Sequence, residues 1–326
     1  MEERHRVSWI DVAKGIGIFL MVMGHTGMPK LGNQWIYSFH MPLFFFISGM
    51  LFDPDKYSMA EFLRRKMNTM ICPYLFFVAL DWVGRMLLQY DRLPSFSLSE
   101  ALVYGVSSAI WFIYVLFFVE LAAWVFYRIE SRYDWRYIVM ILSLVMIVAS
   151  YMAYQYSVHL PYKMEVVGFG LLFFIIGKNS MQIKYSVGSL WLVIIGLCHV
   201  FGAYFVMPRL DMASNEWGGI TPLNLILALV GIYLTISVSI QLSQRKNMIV
   251  KFFKFFGENT IVVVGLSHII LMTFKKYFDS WGVPNMIGSP IRHVLLWIAL
   301  LGAVCFLNRF APRLIGKKKP KSLRFD

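Results

Sequence analysis

The stretch IDVAKGIGIFLMVMGHTGM, residues 10–28, is an apolar run about as long as a membrane is thick, yet it carries Asp11, Lys14 and His25. An ionisable residue inside a membrane span indicates function, because its burial in lipid is costly. At about 100° per residue, Lys14 and His25 fall within about 20° of each other around a helix, with Asp11 in the same arc. Lys14 and His25 are expected roughly 16 Å apart along the axis. The stretch therefore predicts a membrane helix with one polar face.

Composition extends this interpretation to the whole chain. Of 326 residues, 58% are hydrophobic, 17% aromatic and only 15% charged, which excludes an ordinary soluble domain. The net charge of +13 does not indicate nucleic-acid binding, because the basic residues fall in short loops and a tail beside apolar runs. Membrane lipids are therefore expected partners, and nucleic acid is not.

Further apolar runs follow the first. They predict an all-α fold, a polytopic transmembrane helical bundle of about ten spans, as a single integral-membrane domain, 1–326, with a basic tail from about residue 312. The spans are expected at residues 10–28, 35–52, 69–90, 109–127, 137–156, 164–177, 187–206, 220–241, 259–276 and 291–311. Pro42 is expected to kink the second span. Asp81 and Arg85, four residues apart in the third, predict an internal ion pair.

An even number of spans places both chain ends on the same side of the membrane. Most of the 31 lysines and arginines then fall on the side of the chain ends, which predicts cytoplasmic termini by the positive-inside rule. In this orientation Lys14 lies near the cytoplasmic surface and His25 near the outer one. The predicted location is the inner, cytoplasmic membrane of the cell, with multiple passes.

Five motifs occur along the chain in the order DVAKGIGIFLMVMGH, FHMPLFFFISGMLF, FLRRKMNTMICPY, AIWFIYVLFFVEL and GENTIVVVGLSHIIL. Together they resemble acyltransferase family 3 of the membrane-bound O-acyltransferases over nearly the whole chain, with most likeness to the fucose or polysaccharide O-acetylase branch. The resemblance implies an O-acetyltransferase. Such an enzyme takes acetyl from cytoplasmic acetyl-CoA and places it on a hydroxyl of a cell-surface or lipid-linked glycan.

The family's motifs carry over onto particular positions. Its pattern of a basic residue, ten residues and a histidine falls on Lys14 and His25, with lysine where many members have arginine; lysine cannot form the bidentate fork of arginine. Its cytoplasmic Arg-x-x-Arg falls on Arg65 to Asn68 and lacks the second arginine. Cationic donors suit the phosphates of CoA, although any cytoplasmic loop is basic. The residues predicted to bind acetyl-CoA are Lys14, Arg64, Arg65 and Lys66.

His25 and Glu120 are the predicted catalytic residues. Acyl transfer to a sugar hydroxyl needs a base whose pKa lies near neutrality, which suits the imidazole of His25; an acyl-imidazole is its other role. The alternative is a histidine that hydrogen-bonds a neighbouring helix. Glu120, a carboxylate in the middle of the fourth span, must be paired or protonated. It is expected to hold Lys14 or His25 in the charged form, or to satisfy Arg85.

Four residues are predicted to bind the acceptor. His40 is expected to orient His25 or to contact the sugar, and Trp111 to line the acceptor's passage. Asn224 and His268 are expected hydrogen-bond partners in the core. Each has a structural alternative, as an interfacial, belt or interhelical residue. No metal is predicted, because the thioester supplies its own driving force and the sequence contains no metal-ligand spacing.

A transmembrane mechanism combines these predictions. The CoA head stays in the cytoplasm, its pantetheine arm enters the bundle, and a glycan hydroxyl meets the acetyl group at His25 from outside. One alternative is a transporter or flippase for a lipid-linked sugar or small solute, which also has about ten spans and intramembrane charges. Another is a non-catalytic sensor or assembly partner. The acceptor's identity, the acyl length and the choice between monomer and homodimer are left open.

Overall fold

Helices make up most of the computed structural model, which describes residues 8–26, 28–88, 109–180, 188–206, 210–218 and 221–317. Across these ranges the extended pairing consists of one isolated bridge between Asp211 and Glu216, so the all-α prediction is confirmed. Most of the basic tail predicted from residue 312 lies outside the described residues.

The described ranges contain α-helices joined by turns and short irregular segments. In chain order they are α1 (Ser8–Gly24), α2 (Lys30–Tyr37), α3 (His40–Met50), α4 (Met59–Lys66), α5 (Cys72–Leu88), α6 (Trp111–Tyr133), α7 (Ile138–Gln155), α8 (Met164–Asn179), α9 (Ser189–Phe201), α10 (Thr221–Ser243), α11 (Met248–Gly257), α12 (Thr260–Ser280) and α13 (Asn285–Phe310). A π-helical turn, Met67–Ile71, joins α4 to α5, and another, Gly202–Val206, follows α9.

Six helical stretches of the described chain are long and apolar enough to cross a membrane. They are Met59–Leu88, Trp111–Tyr133, Ile138–Gln155, Thr221–Ser243, Thr260–Ser280 and Gly288–Phe310. Every predicted span coincides with at least one helix, but α1 has 17 residues and α8 has 16, and Ser189–Phe205 is a shorter apolar helix. The total of ten spans therefore stays a prediction.

The second predicted span is broken into two helices, and Pro42 explains where the break lies. α2 ends at Tyr37 and α3 begins at His40. Because proline has no N–H, Pro42 cannot bond to the carbonyl of Ser38 four residues earlier, and a new helix starts instead. The hydroxyl of Ser38 donates to the carbonyl of Trp35 at 2.7 Å. The structure thus has a break between two helices in place of the predicted kink.

α4 begins at a capping box and continues through a π turn into α5. The amide of Glu61 donates to the hydroxyl oxygen of Ser58 at 3.4 Å, and the amide of Ser58 donates to the carboxylate of Glu61 at 3.1 Å. Pro73 has no N–H, so it cannot donate to the carbonyl of Thr69 four residues earlier. Thr69 lies in the middle of the π turn Met67–Ile71. The missing hydrogen bond accounts for the wider turn.

The chain divides into two compact units. The first comprises Met1–Pro54, Phe118–Leu160 and Met164–Thr260, and the second comprises Asp55–Phe117, Pro161–Lys163 and Ile261–Asp326. The first unit contains α1 to α3 and α7 to α11, whereas the second contains α4, α5, α13 and nearly all of α12. α6 contributes residues to both.

In the first unit, glycines allow the closest contacts between helices. A Cβ atom on Gly15 of α1 would collide with the carbonyl of Phe253 in α11, and one on Gly257 of α11 would collide with the carbonyl of Asp11. α3 and α8 approach as closely at Gly49. Small residues let helix backbones meet, which is how apolar helices gain packing energy in lipid. α11 is thereby held against the turn of α1 that carries Asp11.

In the second unit, glycines bring α5 and α12 together. Gly265 of α12 faces the ring of Phe77, and Gly84 of α5 faces the side chain of Ile269. A Cβ atom at either glycine would collide with that neighbour. These two contacts lie on either side of Asp81 along α5, so α12 approaches α5 closely where the buried carboxylate lies.

Candidate functional site

His25 lies one residue beyond the end of α1, rather than inside it as predicted. Its amide N–H still bonds to the carbonyls of Met21 at 3.3 Å and Val22 at 3.2 Å, so the backbone keeps its helical path. The side chain is exposed. Its ring meets the ring of Tyr37 edge to face, with 6.3 Å between centroids. His25 is therefore an accessible imidazole at a helix end.

Tyr37 contacts both His25 and His40. Its ring lies 5.0 Å from that of His40, measured between centroids. His40 is the first residue of α3, is almost fully buried, and has its Nδ1 2.8 Å from the carbonyl oxygen of Ile36. Because a carbonyl only accepts, Nδ1 carries the proton, and Nε2 is the basic nitrogen of the neutral ring. His25 and His40, which were predicted to act together, therefore both contact the ring of Tyr37.

Asp11 and Lys14 form an ion pair on α1. The ammonium nitrogen of Lys14 lies 3.0 Å from Oδ1 of Asp11, and the two side chains are 24% and 2% exposed, respectively. A buried carboxylate needs such a partner, because it has lost its hydration. The ammonium has three N–H donors, and this contact uses one. The predicted polar face of α1 therefore contains an ion pair in which Lys14 is accessible and Asp11 is buried.

Glu120 is buried in α6, as expected of a carboxylate in the middle of an apolar helix. Two of the cations predicted as its partners each pair with a carboxylate of their own helix. Lys14 pairs with Asp11, and Arg85 pairs with Asp81. A catalytic role for Glu120 stays a prediction.

The basic residues at the end of α4 lie at the surface of the second unit. Arg64 and Arg65 are exposed. The guanidinium of Arg65 lies 4.3 Å from the centroid of the Tyr57 ring, and the ammonium of Lys66 lies 5.8 Å from that of Phe62. A ring attracts the charge of a cation without occupying its N–H donors. Arg65 can therefore stack on Tyr57 and still bind an anion.

Asp81, Arg85 and His268 form an ionic cluster in the second unit. Nε of Arg85 donates to Oδ2 of Asp81 at 2.8 Å, which confirms the predicted ion pair. Nδ1 of His268, on α12, lies 3.4 Å from Oδ1 of Asp81 and 3.3 Å from Nη2 of Arg85. The side chain of Asp81 is fully buried, whereas those of Arg85 and His268 are 11% and 22% exposed. His268 is thus the accessible member of the cluster.

Asn224 and Trp111 are both buried and make packing contacts. The amide nitrogen of Asn224 donates to the carbonyl of Trp217 at 3.1 Å, and the indole of Trp217 stacks on Phe169 with centroids 4.0 Å apart. Trp111 begins α6 and meets Phe112 edge to face at 6.3 Å. Acceptor binding by either residue stays a prediction.

The predicted site residues fall into two groups. The first unit holds Lys14, His25, His40, Glu120 and Asn224, and the second holds Arg64, Arg65, Lys66, Trp111 and His268. Within the first unit the structure brings His25 and His40 to one tyrosine. Within the second it joins His268 to Asp81. Sequence reasoning missed Tyr37, although it lies three residues before His40 in the run YSFH, and it treated Asp81 as structural.

Comparison with known protein families gives one match. Residues 7–308 match the family model of an acyltransferase domain, that of acyltransferase family 3. This is the family that the five sequence motifs resemble, and the match does not distinguish its branches. No curated protein and no solved structure matches the chain.

Proposed function

Because the chain belongs to acyltransferase family 3, we propose that it is a membrane O-acetyltransferase, which moves acetyl from cytoplasmic acetyl-CoA to a hydroxyl of a cell-surface or lipid-linked glycan. Acyl transfer follows from the family, and the multi-pass character from the family and the six candidate spans. The observation that carries the proposal is the family match, which spans residues 7–308 and includes every candidate residue.

The proposed reaction transfers the acetyl group in a balanced exchange. The hydroxyl oxygen forms a bond to the acetyl carbon, the carbon–sulfur bond of the thioester breaks, and CoA leaves as the thiol with the hydroxyl proton. His25 is the proposed catalytic residue, either as the base or as an acyl carrier. Its exposure supports access by a bulky glycan, and its contact with Tyr37 supports a restricted ring orientation.

Cations are proposed to bind the phosphates of acetyl-CoA. The exposure of Arg64 and Arg65 supports this role, because guanidinium groups pair well with phosphate oxygens. Lys14 is accessible at one end of its pair with Asp11 and keeps N–H donors beyond that contact. Lys14 and the α4 cations lie in different units and can be replaced independently. Their contributions to donor binding can therefore be measured separately.

The membrane arrangement is part of the proposal. We propose ten spans with both termini in the cytoplasm, in the inner, cytoplasmic membrane of the cell. The distribution of basic residues supports this orientation. This orientation would give cytoplasmic acetyl-CoA access to the cations of the chain. Lipids and the glycan acceptor are the proposed partners, and a homodimer is compatible with the same reaction.

Incubation of membranes that contain the protein with radiolabelled acetyl-CoA and a panel of surface glycans tests the proposal. Wild type is expected to label a glycan, and His25→Ala is expected to lose at least about 100-fold in rate. His159→Gln is the matched control, because this histidine belongs to the same unit and its side chain is 75% exposed. The control is expected to label glycan at the wild-type rate.

The same assay separates the alternatives. If wild type transfers no label to any glycan, the proposal fails and a transporter or flippase, which needs no acetyl-CoA, is favoured. If His25→Ala transfers label as fast as His159→Gln, the assignment of His25 fails although the acyltransferase stands. Label that remains on wild type without acceptor, and is absent from His25→Ala, identifies His25 as the acyl carrier.

A further inference from the structure

The cluster of Asp81, Arg85 and His268 has the chemistry of a proton-exchange site. A carboxylate only accepts hydrogen bonds, and a guanidinium only donates them. When Nδ1 of His268 carries a proton, it donates to Oδ1 of Asp81 at 3.4 Å; when it does not, it accepts from Nη2 of Arg85 at 3.3 Å. Nδ1 therefore has a partner in either state, and Nε2 can present a lone pair or a proton.

The other ring nitrogen of His268 is open in the described part of the chain. The contacts of this imidazole with Asp81 and Arg85 are made by Nδ1, and 22% of the side chain is exposed. His199 differs, because both of its nitrogens are hydrogen-bonded, to Trp35 and to the carbonyl of Leu227. An open polar nitrogen in the middle of an apolar helix requires water or a ligand.

The charges around the imidazole balance. Within the described ranges, Asp81 and Arg85 are the charged groups that contact it, and their charges cancel. Lys276, further along α12, donates to the carbonyl of Leu88. An acid–base group must pass through a neutral and a protonated form in each turnover.

We infer that Asp81, Arg85 and His268 form a second acid–base site, in which Nε2 of His268 takes the proton of the acceptor hydroxyl. The inference rests on the proposed acyl transfer, and of the two roles proposed there for His25 it leaves that of acyl carrier, since one base takes the hydroxyl proton. The hydroxyl O–H bond breaks with its proton going to Nε2, and the oxygen bonds to the acetyl carbon. The bond from that carbon to its leaving group breaks, and the leaving group then takes the proton from Nε2. Asp81 and Arg85 are positioning residues, since they act through His268.

His268→Gln tests the inference with little structural disturbance. Glutamine keeps a hydrogen-bond donor and an acceptor in a side chain of similar length, but it does not titrate. The kcat of acetyl transfer is expected to fall about 100-fold to 10,000-fold, with the KM for acetyl-CoA unchanged. The matched control is His293→Gln in α13, where Nδ1 donates to the carbonyl of Ser289 at 2.7 Å. The control is expected to keep the wild-type kcat.

A chemical rescue separates proton transfer from a structural role. His268→Gly is expected to recover at least about tenfold in rate when free imidazole is added, because an accessible base can replace the missing ring. A merely structural histidine is not rescued by added imidazole.

The positioning residues are tested as a pair. Asp81→Asn together with Arg85→Gln keeps the net charge of the wild-type pair, so the variant is expected to accumulate and melt like wild type. Its kcat is expected to fall about tenfold or more, because neutral amides replace the charged carboxylate and guanidinium that hold the ring.

The outcomes distinguish this inference from the proposed function. An active wild type with an unaffected His268→Gln, or a His268→Gly that free imidazole does not rescue, overturns the inference alone. A wild type without acetyl transfer to any acceptor overturns the proposed function as well. An active wild type with a slow His268→Gln and rescued His268→Gly supports both.

Discussion

In the ion pair between Asp11 and Lys14, the carboxylate is buried and the ammonium is partly exposed. Removing the ammonium alone therefore leaves a buried charge without this partner. Asp11 is 2% exposed and Lys14 24%. Lys14→Met removes the ammonium that balances the buried carboxylate, and we expect the free energy of unfolding to fall by about 1–3 kcal/mol. Thermal unfolding of the purified protein in detergent measures this loss.

The double variant Asp11→Asn with Lys14→Met provides the control. It removes both charges, and we expect its melting temperature to lie closer to wild type than that of Lys14→Met, because no unbalanced charge is buried. If its acetyl transfer is still lost, the cation itself is needed by the reaction. Equal melting temperatures for the single and double variants would contradict the buried-charge argument.

His199 is expected to be structural. The indole N–H of Trp35 donates to its Nδ1 at 3.0 Å, so its Nε2 carries the proton donated to the carbonyl of Leu227 at 3.0 Å. His199→Phe leaves that N–H and that carbonyl without this partner, and we expect a loss of about 1–3 kcal/mol in stability. Acetyl transfer per folded molecule is expected to stay within twofold of wild type. A large loss of rate at an unchanged melting temperature would disprove this assignment.

Helix packing in the first unit depends on glycines at backbone contacts. A Cβ atom on Gly15 would meet the carbonyl of Phe253 in α11, which cannot move aside as a side-chain end can. We expect Gly15→Ala to lower stability by about 1–3 kcal/mol and to reduce accumulation in membranes. Thermal unfolding and membrane yield measure both effects.

Gly196 in α9 is the matched control for Gly15. A Cβ atom there meets nothing within 4 Å. Gly196→Ala is therefore expected to keep the melting temperature within about 2 °C of wild type, or to raise it slightly through helix propensity. If both alanine variants accumulate and melt alike, α1 and α11 do not meet through Gly15.

Helix periodicity predicts which side chains of one helix lie close together, but not which side chains of another helix contact them. Asp81 and Arg85, four residues apart, must share a face on any helix, so their ion pair was predictable. His268 joins them only because Gly84 and Gly265 let α12 approach α5, which depends on packing between distant segments. The contacts of Tyr37 with His25 and His40 were likewise not predictable from periodicity, because they depend on the break between α2 and α3 at residues 38 and 39. Length and composition predicted the helices well, whereas backbone breaks depended on single prolines.

Among the described residues, each compact unit holds a cluster with predicted site histidines. Tyr37 joins His25 and His40 in the first, and Asp81 and Arg85 hold His268 in the second. The family match runs across both units, so acyl transfer is expected to need both. Substitutions of the histidines can therefore be made in each unit separately, and acetyl transfer can be measured for each variant.

The orientation of the chain in the membrane gives a prediction for the whole molecule. In the proposed ten-span arrangement the segment around His159 lies outside and the segment around Lys246 lies in the cytoplasm. Both side chains are exposed. Cys72, Cys198 and Cys305 are free and exposed, so they are first replaced by serine or alanine to give a background without labelling. His159→Cys is then expected to react with a membrane-impermeant maleimide on intact cells.

Lys246→Cys, in the same cysteine-free background, is expected to react only after the cells are permeabilised. The reason is energetic, because the basic residues of this segment, which include Arg245, resist translocation and favour the cytoplasmic side with its anionic lipids. Labelling of both positions on intact cells, or of Lys246→Cys alone, would contradict the orientation. It would also contradict the proposed access of cytoplasmic acetyl-CoA to Lys14 and of an external glycan to His25. A matching pattern with active protein would instead connect the sidedness of the chain to the sidedness of the proposed reaction.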